Sequence, residues 1–370
     1  MKYYLISGEA SGDLHGSNLI KALKKQDPSA EIRCWGGDLM QNAGGTLVKH
    51  YRDLAFMGFS EVVMNLPTII RNIKFCKTDI KQWQPDVLVL IDYPGFNLRI
   101  ASWAKQEGFK VAYYISPQVW AWKENRVKQM KQCIDKMLCI LPFEKNYYKN
   151  KWNWDVEYVG HPLVEVIEQK TKDAEKISDP NQHKNIIALL PGSRKQEIAK
   201  KLPIMLSVAS HFPDYEFVVA KAPGLDDHFY QPFLSTAPNV SSISNQTYDL
   251  LLKSKAALVT SGTATLETAL LKVPEVVCYK GSNISYQIAK RLISIKYISL
   301  VNLIMDKLVV KELIQHELNT ENLVTELSLI LNDDQYRQKI LSDYDALWQV
   351  LSEGGNASQL AAREIWLLAS

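Results

Sequence analysis

Short apolar runs alternate with helical patterns along this chain, and this alternation restricts its fold more than any other feature. In the first half, the pattern predicts strands at residues 3–6, 32–35, 87–91 and 111–115 and a helix at residues 14–25. The run at 87–91 is apolar at every position, which is typical of a strand buried on both faces. Buried strands separated by helices indicate parallel β-α-β units, so we predict an α/β fold.

The second half repeats the alternation. It has predicted strands at residues 186–190, 216–220, 257–259 and 276–279, and predicted helices near 195–212, 247–253, 265–271 and 321–331. Because 370 residues are more than one core usually fills, we predict two doubly wound domains. Their expected bounds are 1–165 and 166–340, with the polar residues 168–184 as a linker and C-terminal helices at 341–370 that pack back on the first domain.

Composition and charge exclude several classes of protein. The net charge is +3, but residues 1–160 hold 22 Lys and Arg against 16 Asp and Glu (+6), which leaves 21 against 24 (−3) in residues 161–370. This asymmetry suits an anionic partner of the first half, yet without a basic run or zinc-finger spacing we expect no nucleic acid. No apolar stretch reaches the roughly 18 residues of a membrane span, and no secretory signal is recognised, so a cytosolic protein is predicted. Five cysteines without a C-x-x-C pair are expected to be free thiols.

Ligands of doubly wound sheets bind beyond the carboxyl ends of the strands, so the loops that follow strands are where chemistry is expected. The fingerprints of dinucleotide dehydrogenases, P-loop NTPases and zincins are absent from the sequence. The first unusual loop, residues 7–13, reads SGEASGD. Its small residues let a ligand approach the backbone, and Ser11 or Asp13 is expected to cap the next helix. An ordinary capped turn explains these residues equally well, but it does not explain Glu9.

The second loop, residues 91–97, reads IDYPGFN and follows the buried strand. Asp92 lies where the strand leaves the sheet, and Pro94 and Gly95 are expected to make a turn that holds its carboxylate at the rim. Such a carboxylate can accept a proton from a sugar hydroxyl. A carboxylate that only caps a helix or satisfies loop amides remains the alternative.

The third loop, residues 190–194, reads LPGSR and precedes a predicted helix near Lys195. Gly192 and Ser193 place free amide groups and the positive end of the helix dipole at one point, which suits a phosphate. Arg194 adds a planar cation that matches phosphate oxygens, so we predict a diphosphate site. A surface arginine in an ordinary turn is the alternative.

The fourth loop, residues 260–267, reads TSGTATLE and again joins a strand to a helix. Thr263 opens the helix, and Glu267 stands one turn further on the same face, where its carboxylate can accept both hydroxyls of a ribose. With Ser261 and Gly262, these residues predict a nucleotide pocket. A capped helix with an exposed glutamate is the alternative.

Together with four further motifs, these loops resemble the lipid-A-disaccharide synthases, which are inverting GT-B glycosyltransferases of lipid A assembly. The further motifs are YISPQVWAW at 114–122, LPFE at 141–144, GHP at 160–162 and VNL at 301–303. The resemblance runs nearly from end to end. It implies two Rossmann-like domains that face each other across a cleft, the first for the acceptor and the membrane, the second for the UDP-sugar.

The resemblance also implies a reaction and a set of residues. UDP-2,3-diacylglucosamine donates its sugar to the 6-hydroxyl of 2,3-diacylglucosamine 1-phosphate, which gives UDP and a β-1,6-linked tetraacyl disaccharide 1-phosphate. No metal or cofactor is implied; Arg194 and the amides of Gly192 and Ser193 take over that role at the UDP leaving group. The implied catalytic residues are Asp92, Glu9 and Asp13. The implied UDP-sugar residues are Gly192, Ser193, Arg194, Ser261, Gly262, Thr263, Glu267 and Asn302. The implied acceptor-side residues are Gly8, Ser11, Gly12, Ser116, Trp120 and His161.

One departure from the family's sequence pattern bears on which residue is the catalytic base. Where relatives often have Ala-Pro-Asp after the aspartate that matches Asp92, this chain has Tyr93-Pro94-Gly95. One candidate carboxylate is therefore missing, which favours Asp92.

Acylated substrates imply contact with the inner face of the cytoplasmic membrane without a membrane span. Residues 56–83 fit this need, because many apolar side chains there are followed by Arg71, Lys74, Lys77 and Lys81. A core-packed helix with a solvated basic face is the alternative, and the stretches 120–131 and 286–297 are other candidates for the contact. A homodimer is left open.

Two rival functions remain. A UDP-sugar 2-epimerase shares two such domains and a UDP pocket, but its soluble substrate requires neither the Trp-rich segment 116–122 nor the apolar stretch 56–73. An inactive UDP- or lipid-binding protein would not need to keep Asp92, Arg194 and Glu267.

Overall fold

The computed structural model describes residues 1–53, 66–175, 185–223, 225–235, 237–281 and 296–370. Residues 56–65 of the predicted membrane segment, residues 286–295 and the end of the predicted linker lie outside these ranges. The chain forms two compact units, one of Met1–Pro162 with Leu351–Ser370 and one of Leu163–Val350.

The first unit is a seven-stranded parallel sheet with helices on both faces. Its strands are β1 (Lys2–Ile6), β2 (Glu31–Gly36), β3 (Thr46–His50), β4 (Val87–Ile91), β5 (Val111–Tyr114), β6 (Lys136–Cys139) and β7 (Glu157–Tyr158). Its helices are α1 (Ala10–Gln26), α2 (Asp38–Asn42), α3 (Leu66–Trp83), α4 (Pro94–Gln106), α5 (Arg126–Cys133) and α6 (Pro142–Trp152), with a 3₁₀ turn at Tyr51–Asp53. The strand order β3-β2-β1-β4-β5-β6-β7 reverses direction between β1 and β4, where doubly wound sheets bind ligands.

Alternate residues of the central strands feed two separate cores. Tyr4 and Leu88 belong to the cluster on one face, whereas Tyr3 and Val89 belong to the cluster on the other. Period-two alternation with apolar residues on both sides is what a sheet covered on both faces requires.

The second unit is a six-stranded parallel sheet. Its strands are β8 (Ile186–Leu190), β9 (Glu216–Lys221), β10 (Val240–Ser244), β11 (Ser254–Thr260), β12 (Glu275–Tyr279) and β13 (Lys311–Ile314). Its helices are α7 (Pro162–Glu175), α8 (Lys195–Leu206), α9 (Asp227–Leu234), α10 (Thr247–Leu252), α11 (Thr263–Leu270), α12 (Leu300–Met305), α13 (Thr320–Asn332) and most of α14 (Asp334–Ser352), with a 3₁₀ turn at Ala209–His211. The order β10-β9-β8-β11-β12-β13 reverses between β8 and β11.

The chain ends in the first unit. Helix α15 (Ala357–Ala369) packs on α1, and the small side chains of Ala361 and Ala362 let the two helices come close. Before it, a Cβ atom on Gly354 would lie 2.3 Å from the Cα atom of Gly160, so this crossing of the chain requires glycine.

The predicted α/β fold of two doubly wound sheets is confirmed, and three local predictions are wrong. Helix α1 begins at Ala10, so Ser11 and Asp13 lie inside its first turn and do not cap it. Residues 168–175 of the predicted linker are the end of α7. The predicted helix at 195–212 stops at Leu206. Within the described residues, no helix combines the length and apolar character that crossing a bilayer requires.

Candidate active site

The loops after β1 and β4 meet at the carboxyl edge of the first unit's sheet. A Cβ atom on Gly8 would lie 2.4 Å from the ring of Tyr93, so glycine is needed for the two loops to approach this closely. Glu9 follows Gly8, and its negative charge acts on the carboxyl of Asp92. The structure thus places Gly8, Glu9 and Asp92 together where the strand order reverses.

The backbone at Asp92 is strained. Asp92 and Tyr93 have left-handed φ angles of 44° and 48°, which cost about 1–3 kcal/mol each for residues with a side chain. Neighbouring groups hold this conformation: the Asp92 amide donates to the Tyr114 carbonyl at 3.0 Å. The Asp92 carbonyl accepts bonds from the Tyr113 hydroxyl at 2.6 Å and from the Asn97 amide at 2.8 Å. The carboxyl of Asp92 is therefore presented by a fixed backbone.

The turn is made by Asp92 and Tyr93 themselves, which corrects the expectation that Pro94 and Gly95 enforce it. Pro94 is the first residue of α4, and Gly95 follows it inside the helix. Proline suits this position because its fixed φ angle is helical and its missing N–H would have no helical acceptor.

The pKa of Asp92 is raised to about 7, first by burial and then by the nearby charge of Glu9. A carboxyl group with this pKa is partly ionised at neutral pH and holds an accepted proton better than an ordinary aspartate. It can therefore act as a general base.

A second carboxyl group with a raised pKa lies in the same unit. Glu144 is buried, which raises its pKa to about 7, and the charge of Asp92 contributes in the same direction. Its Oε1 accepts a bond from the Trp120 indole at 3.1 Å, and its Oε2 accepts one from the Leu141 amide at 3.0 Å. Glu144 therefore fixes the indole of Trp120, a predicted acceptor-side residue.

Several predicted acceptor-side and catalytic residues are engaged elsewhere. Asp13 is buried, and its carboxylate accepts bonds from the amides of Gly37, Leu39 and Met40, so it caps α2. Asp13 therefore caps α2 and not α1, which was the expected helix. Because its carboxylate already accepts three hydrogen bonds, it is poorly placed to take a proton from a substrate.

Other predicted acceptor-side residues pack in the interior or lie exposed on a helix. The Ser116 hydroxyl lies 2.7 Å from that of Tyr148, in the interior. His161 is buried near His15, and burial lowers its pKa to about 3. A Cβ atom on Gly12 would lie 2.9 Å from the Ser7 Cβ, so glycine is needed for this close packing, while Ser11 is exposed in the first turn of α1.

The second unit has a cavity of about 470 Å³ at the carboxyl edge of its sheet. It is lined by seven of the eight residues predicted for the UDP-sugar: Gly192, Ser193, Arg194, Ser261, Gly262, Thr263 and Glu267. The loops after β8, β9 and β11 all contribute, and the strand order reverses between β8 and β11. The sequence pattern therefore located residues that share one cavity.

Two helices begin at this cavity. Helix α8 starts at Lys195 with Arg194 as its N-cap, and α11 starts at Thr263 after Gly262, whose φ angle is 142°. The unpaired amides of a first helical turn and the positive end of the helix dipole favour an anion. The Arg194 side chain is 58% exposed and pairs with Glu197 at 3.3 Å, so its guanidinium lies at the mouth of the cavity, where a phosphate can reach it.

Glu267 is fixed by a partner that the sequence did not indicate. Its Oε1 accepts a bond from the Tyr248 hydroxyl at 2.9 Å, and burial raises its pKa. One carboxylate oxygen is thereby positioned while the group still lines the cavity, which suits a contact with ribose hydroxyls.

Asn302 is not among the residues that line this cavity. Its side chain is buried: the amide nitrogen donates to the Val310 carbonyl and to Glu312, and the amide oxygen accepts from the amides of Val309 and Val310. All of its hydrogen-bonding capacity orders the segment before β13, so the expected contact with UDP is not supported by its geometry.

Lys221 is a cavity residue that the sequence patterns did not indicate. It is the last residue of β9, lines the cavity and forms an ion pair with Asp227 at 2.6 Å. The rule that ligands bind beyond strand ends would have found it, because β9 itself was predicted.

Comparison with solved structures places the fold. A UDP-GlcNAc 2-epimerase from Neisseria meningitidis bound to UDP-GlcNAc matches with a TM-score of 0.68 and 14% identity, over 99% of both chains. The glycosyltransferase of kitacinnamycin matches with a TM-score of 0.69 and 12% identity, over 100% of this chain and 99% of that one. At sequence identities this low, the two matches show a shared fold and nothing about function. The two doubly wound sheets, each with a candidate site at its carboxyl edge, define a protein of the GT-B fold class.

Sequence relatives narrow the class. The family model described as lipid-A-disaccharide synthetase matches residues 3–365. The lipid-A-disaccharide synthase of Syntrophus aciditrophicus is 38% identical over 98% of this chain and 97% of its own length. The Coxiella burnetii synthase is 37% identical over 98% of this chain and 96% of its own length. The chain belongs to the lipid-A-disaccharide synthase family, which favours the transferase over the epimerase.

Proposed function

We propose that this protein transfers 2,3-diacylglucosamine from UDP-2,3-diacylglucosamine to the 6-hydroxyl of 2,3-diacylglucosamine 1-phosphate. The observation that carries the mechanism is the carboxyl of Asp92, which a strained backbone presents and whose pKa of about 7 suits a general base. Asp92 takes the proton of the acceptor hydroxyl as the oxygen attacks the anomeric carbon. The bond from that carbon to the UDP oxygen breaks, its electron pair leaves with UDP, and the configuration inverts to β.

Donor binding is assigned to the cavity of the second unit. Arg194 and the first turns of α8 and α11 face the diphosphate, and Glu267 accepts the ribose hydroxyls. Charge develops on the departing UDP, and preorganised donors of this kind stabilise such charge. Gly192, Ser193, Ser261, Gly262 and Thr263 supply backbone and hydroxyl contacts.

We propose that the acceptor side also contacts the inner face of the cytoplasmic membrane. On α3, Ile70 is 56% exposed and Phe75 is 47% exposed, and both lie beside the exposed cations Arg71 and Lys74. Apolar side chains next to cations suit an anionic lipid surface, which is also where acylated substrates reside. The half-exposed Trp122, with the Lys123 ammonium 4.0 Å from its ring, offers a second contact.

The test is incubation with UDP-2,3-diacylglucosamine and 2,3-diacylglucosamine 1-phosphate in detergent micelles, with products identified by mass spectrometry. We expect UDP and a tetraacyl disaccharide 1-phosphate in equal amounts. Conversion of soluble UDP-GlcNAc to its 2-epimer would instead support the epimerase. Binding of UDP with no turnover of either substrate would indicate an inactive binding protein.

A further inference from the structure

A buried lysine lies under the glycine-containing loop of the donor cavity. The Lys201 side chain, on α8, is only 3% exposed. Its single ion-pair partner among the residues that the structure describes is Glu197, at 3.8 Å, which is beyond hydrogen-bonding distance. Glu197 also pairs with Arg194 at 3.3 Å, so its charge is shared. A buried ammonium with so distant a partner is costly, whereas methionine or leucine would fill the same space without that cost.

Gly192 separates this ammonium from the cavity. A Cβ atom built on Gly192 would lie 3.0 Å from the Glu197 Oε2, 3.5 Å from the Cγ2 of Thr260 and 3.6 Å from the Lys201 Nζ. Gly192 itself has a φ angle of 115°, which a residue with a side chain rarely adopts. The Lys201 ammonium therefore lies close behind a glycine that lines the cavity, with the Glu197 carboxylate beside it.

Thr260 gives an independent indication of a ligand. It is 8% exposed and lines the cavity, and its Oγ1 has no hydrogen-bond partner among the described residues. Buried hydroxyl groups normally have a partner. An anion with several acceptor oxygens, lying over Gly192, would supply one for Thr260 and a counter-charge for Lys201.

We infer that Lys201 is the second cation of the diphosphate site and acts from beneath Gly192, while Arg194 acts from the mouth of the cavity. The inference rests on the proposed UDP-sugar function. The diphosphate of a UDP-sugar carries two negative charges and gains a third when UDP leaves, so Arg194 alone does not balance it, and Lys221, which also lines the cavity, is already paired with Asp227. A fixed cation that is buried, as Lys201 is, acts strongly and needs no reorganisation during the reaction.

The charges around Lys201 predict that the protein takes up protons when UDP binds. Burial lowers the pKa of Lys201, and the charge of Arg194 lowers it further; Glu197 raises it, as does the Cys278 thiol on β12. A bound diphosphate would raise this pKa again. At alkaline pH, where UDP is fully ionised, the wild-type protein should therefore take up protons when it binds UDP. Calorimetry in buffers of different ionisation enthalpy measures this uptake.

The decisive comparison is Lys201→Met against Lys200→Met, measured by calorimetry with UDP and by thermal unfolding. Lys200 is exposed on the same helix and serves as the matched control. Lys201→Met should bind UDP about tenfold more weakly, lose the proton uptake and keep or raise its Tm, because a buried charge has been removed. Lys200→Met should behave as the wild type in all three measurements.

Two other outcomes separate this inference from the proposed function. If the wild type binds UDP and Lys201→Met binds it equally well, Lys201 is only structural and the inference is wrong. If the wild type does not bind UDP, the proposed function fails first. Should Lys201→Met not fold, Lys201→Gln and the proton uptake of the wild type carry the same test.

Discussion

Asp92 joins two properties that rarely occur in one residue, a left-handed backbone and a carboxyl pKa of about 7. The first fixes where the carboxyl points, and the second makes it a base at neutral pH. Both depend on neighbours, namely Tyr113 and Asn97 at the backbone and Glu9 at the carboxyl.

We predict that Asp92→Asn lowers kcat by about 10²- to 10⁴-fold, which is the usual cost of losing a positioned base. UDP affinity should not change, because Asp92 belongs to the first unit and the UDP cavity to the second. Since the base must be ionised, kcat/KM of the wild type should rise with pH and level off above about 7. Stopped assays across pH, with calorimetry for UDP, check this. Retention of more than roughly a tenth of the turnover would move the base to Glu9.

At the donor site, we predict that Arg194→Ala weakens UDP binding by about ten- to a hundredfold, because hydrogen bonds to charged groups contribute about 1.5–3 kcal/mol. Calorimetry measures the change. Lys200→Ala, which removes an exposed cation from the same helix, is the control and should bind as the wild type does. Equal affinities for all three proteins would show that the diphosphate lies elsewhere.

At the scale of elements, α3 is anchored along one side and exposed along the other. Asp79 of this helix accepts bonds from the Tyr4 hydroxyl at 2.6 Å and from the Arg33 guanidinium, and Cys76 and Ile80 pack in the core. The core-packed alternative is therefore right for one face of α3. The opposite face is the one available to a membrane.

We predict that Ile70→Glu with Lys74→Glu releases the protein from vesicles rich in phosphatidylglycerol. Loss of one apolar contact of at least about 1.5 kcal/mol and one cation of about 1 kcal/mol should weaken sedimentation with vesicles by more than about tenfold. The KM for micellar substrate should rise while UDP affinity stays constant. Both side chains are exposed, so the fold should persist.

The matched control is Leu329→Glu with Lys339→Glu, which makes the same change of charge at exposed positions of the second unit. If both double variants lose vesicle binding equally, net charge explains the effect and α3 is not the docking element. If neither loses it, the contact lies outside the residues changed.

At the scale of the whole molecule, buried ionisable groups make stability depend on pH in opposite directions. Burial raises the pKa of Glu275 well above its ordinary value, and neither of its carboxylate oxygens has a hydrogen-bond partner in the described part of the chain. Burial lowers the pKa of His15 to about 4 and that of His161 to about 3. The folded protein therefore holds a proton on Glu275 more tightly than the unfolded chain does, and it leaves the two histidines unprotonated near neutral pH.

The direction in which the free energy of unfolding changes with pH depends on which state binds more protons at each group. The folded state binds more protons at Glu275, so its contribution to the free energy of unfolding is present at low pH and is lost as pH rises above about 4.5, the ordinary glutamate value. The histidines act oppositely, because the unfolded state binds more protons as pH falls below their ordinary value of 6.5.

We predict that Glu275→Gln, which cannot ionise, becomes more stable relative to the wild type as pH rises above about 4.5. The difference should grow by about 1.4 kcal/mol for each further pH unit, until the folded protein also releases the Glu275 proton. Urea unfolding at several pH values measures this difference. A constant difference across pH would mean that Glu275 is not protonated in the folded protein.

The sequence alone determined the fold class and most of the donor site. Continuous apolar runs such as Val87–Ile91 can be buried only as strands covered on both faces, and small-residue loops after strands mark the ligand edge of a sheet. Because these signals are local, Arg194, Thr263 and Glu267 were found without knowledge of any distant contact.

Tertiary structure decided what depends on neighbours far apart in sequence. Asp13 caps α2 rather than α1 because Gly37 and Met40 come to lie over it. Asn302 orders its own segment, and Lys201 is buried beneath Gly192. The pKa of Asp92 is likewise a property of packing, since burial and the charge of Glu9, some eighty residues away along the chain, raise it together. Local pattern gives the type of residue and its element, whereas burial, charge and hydrogen-bond partners exist only once the chain has folded.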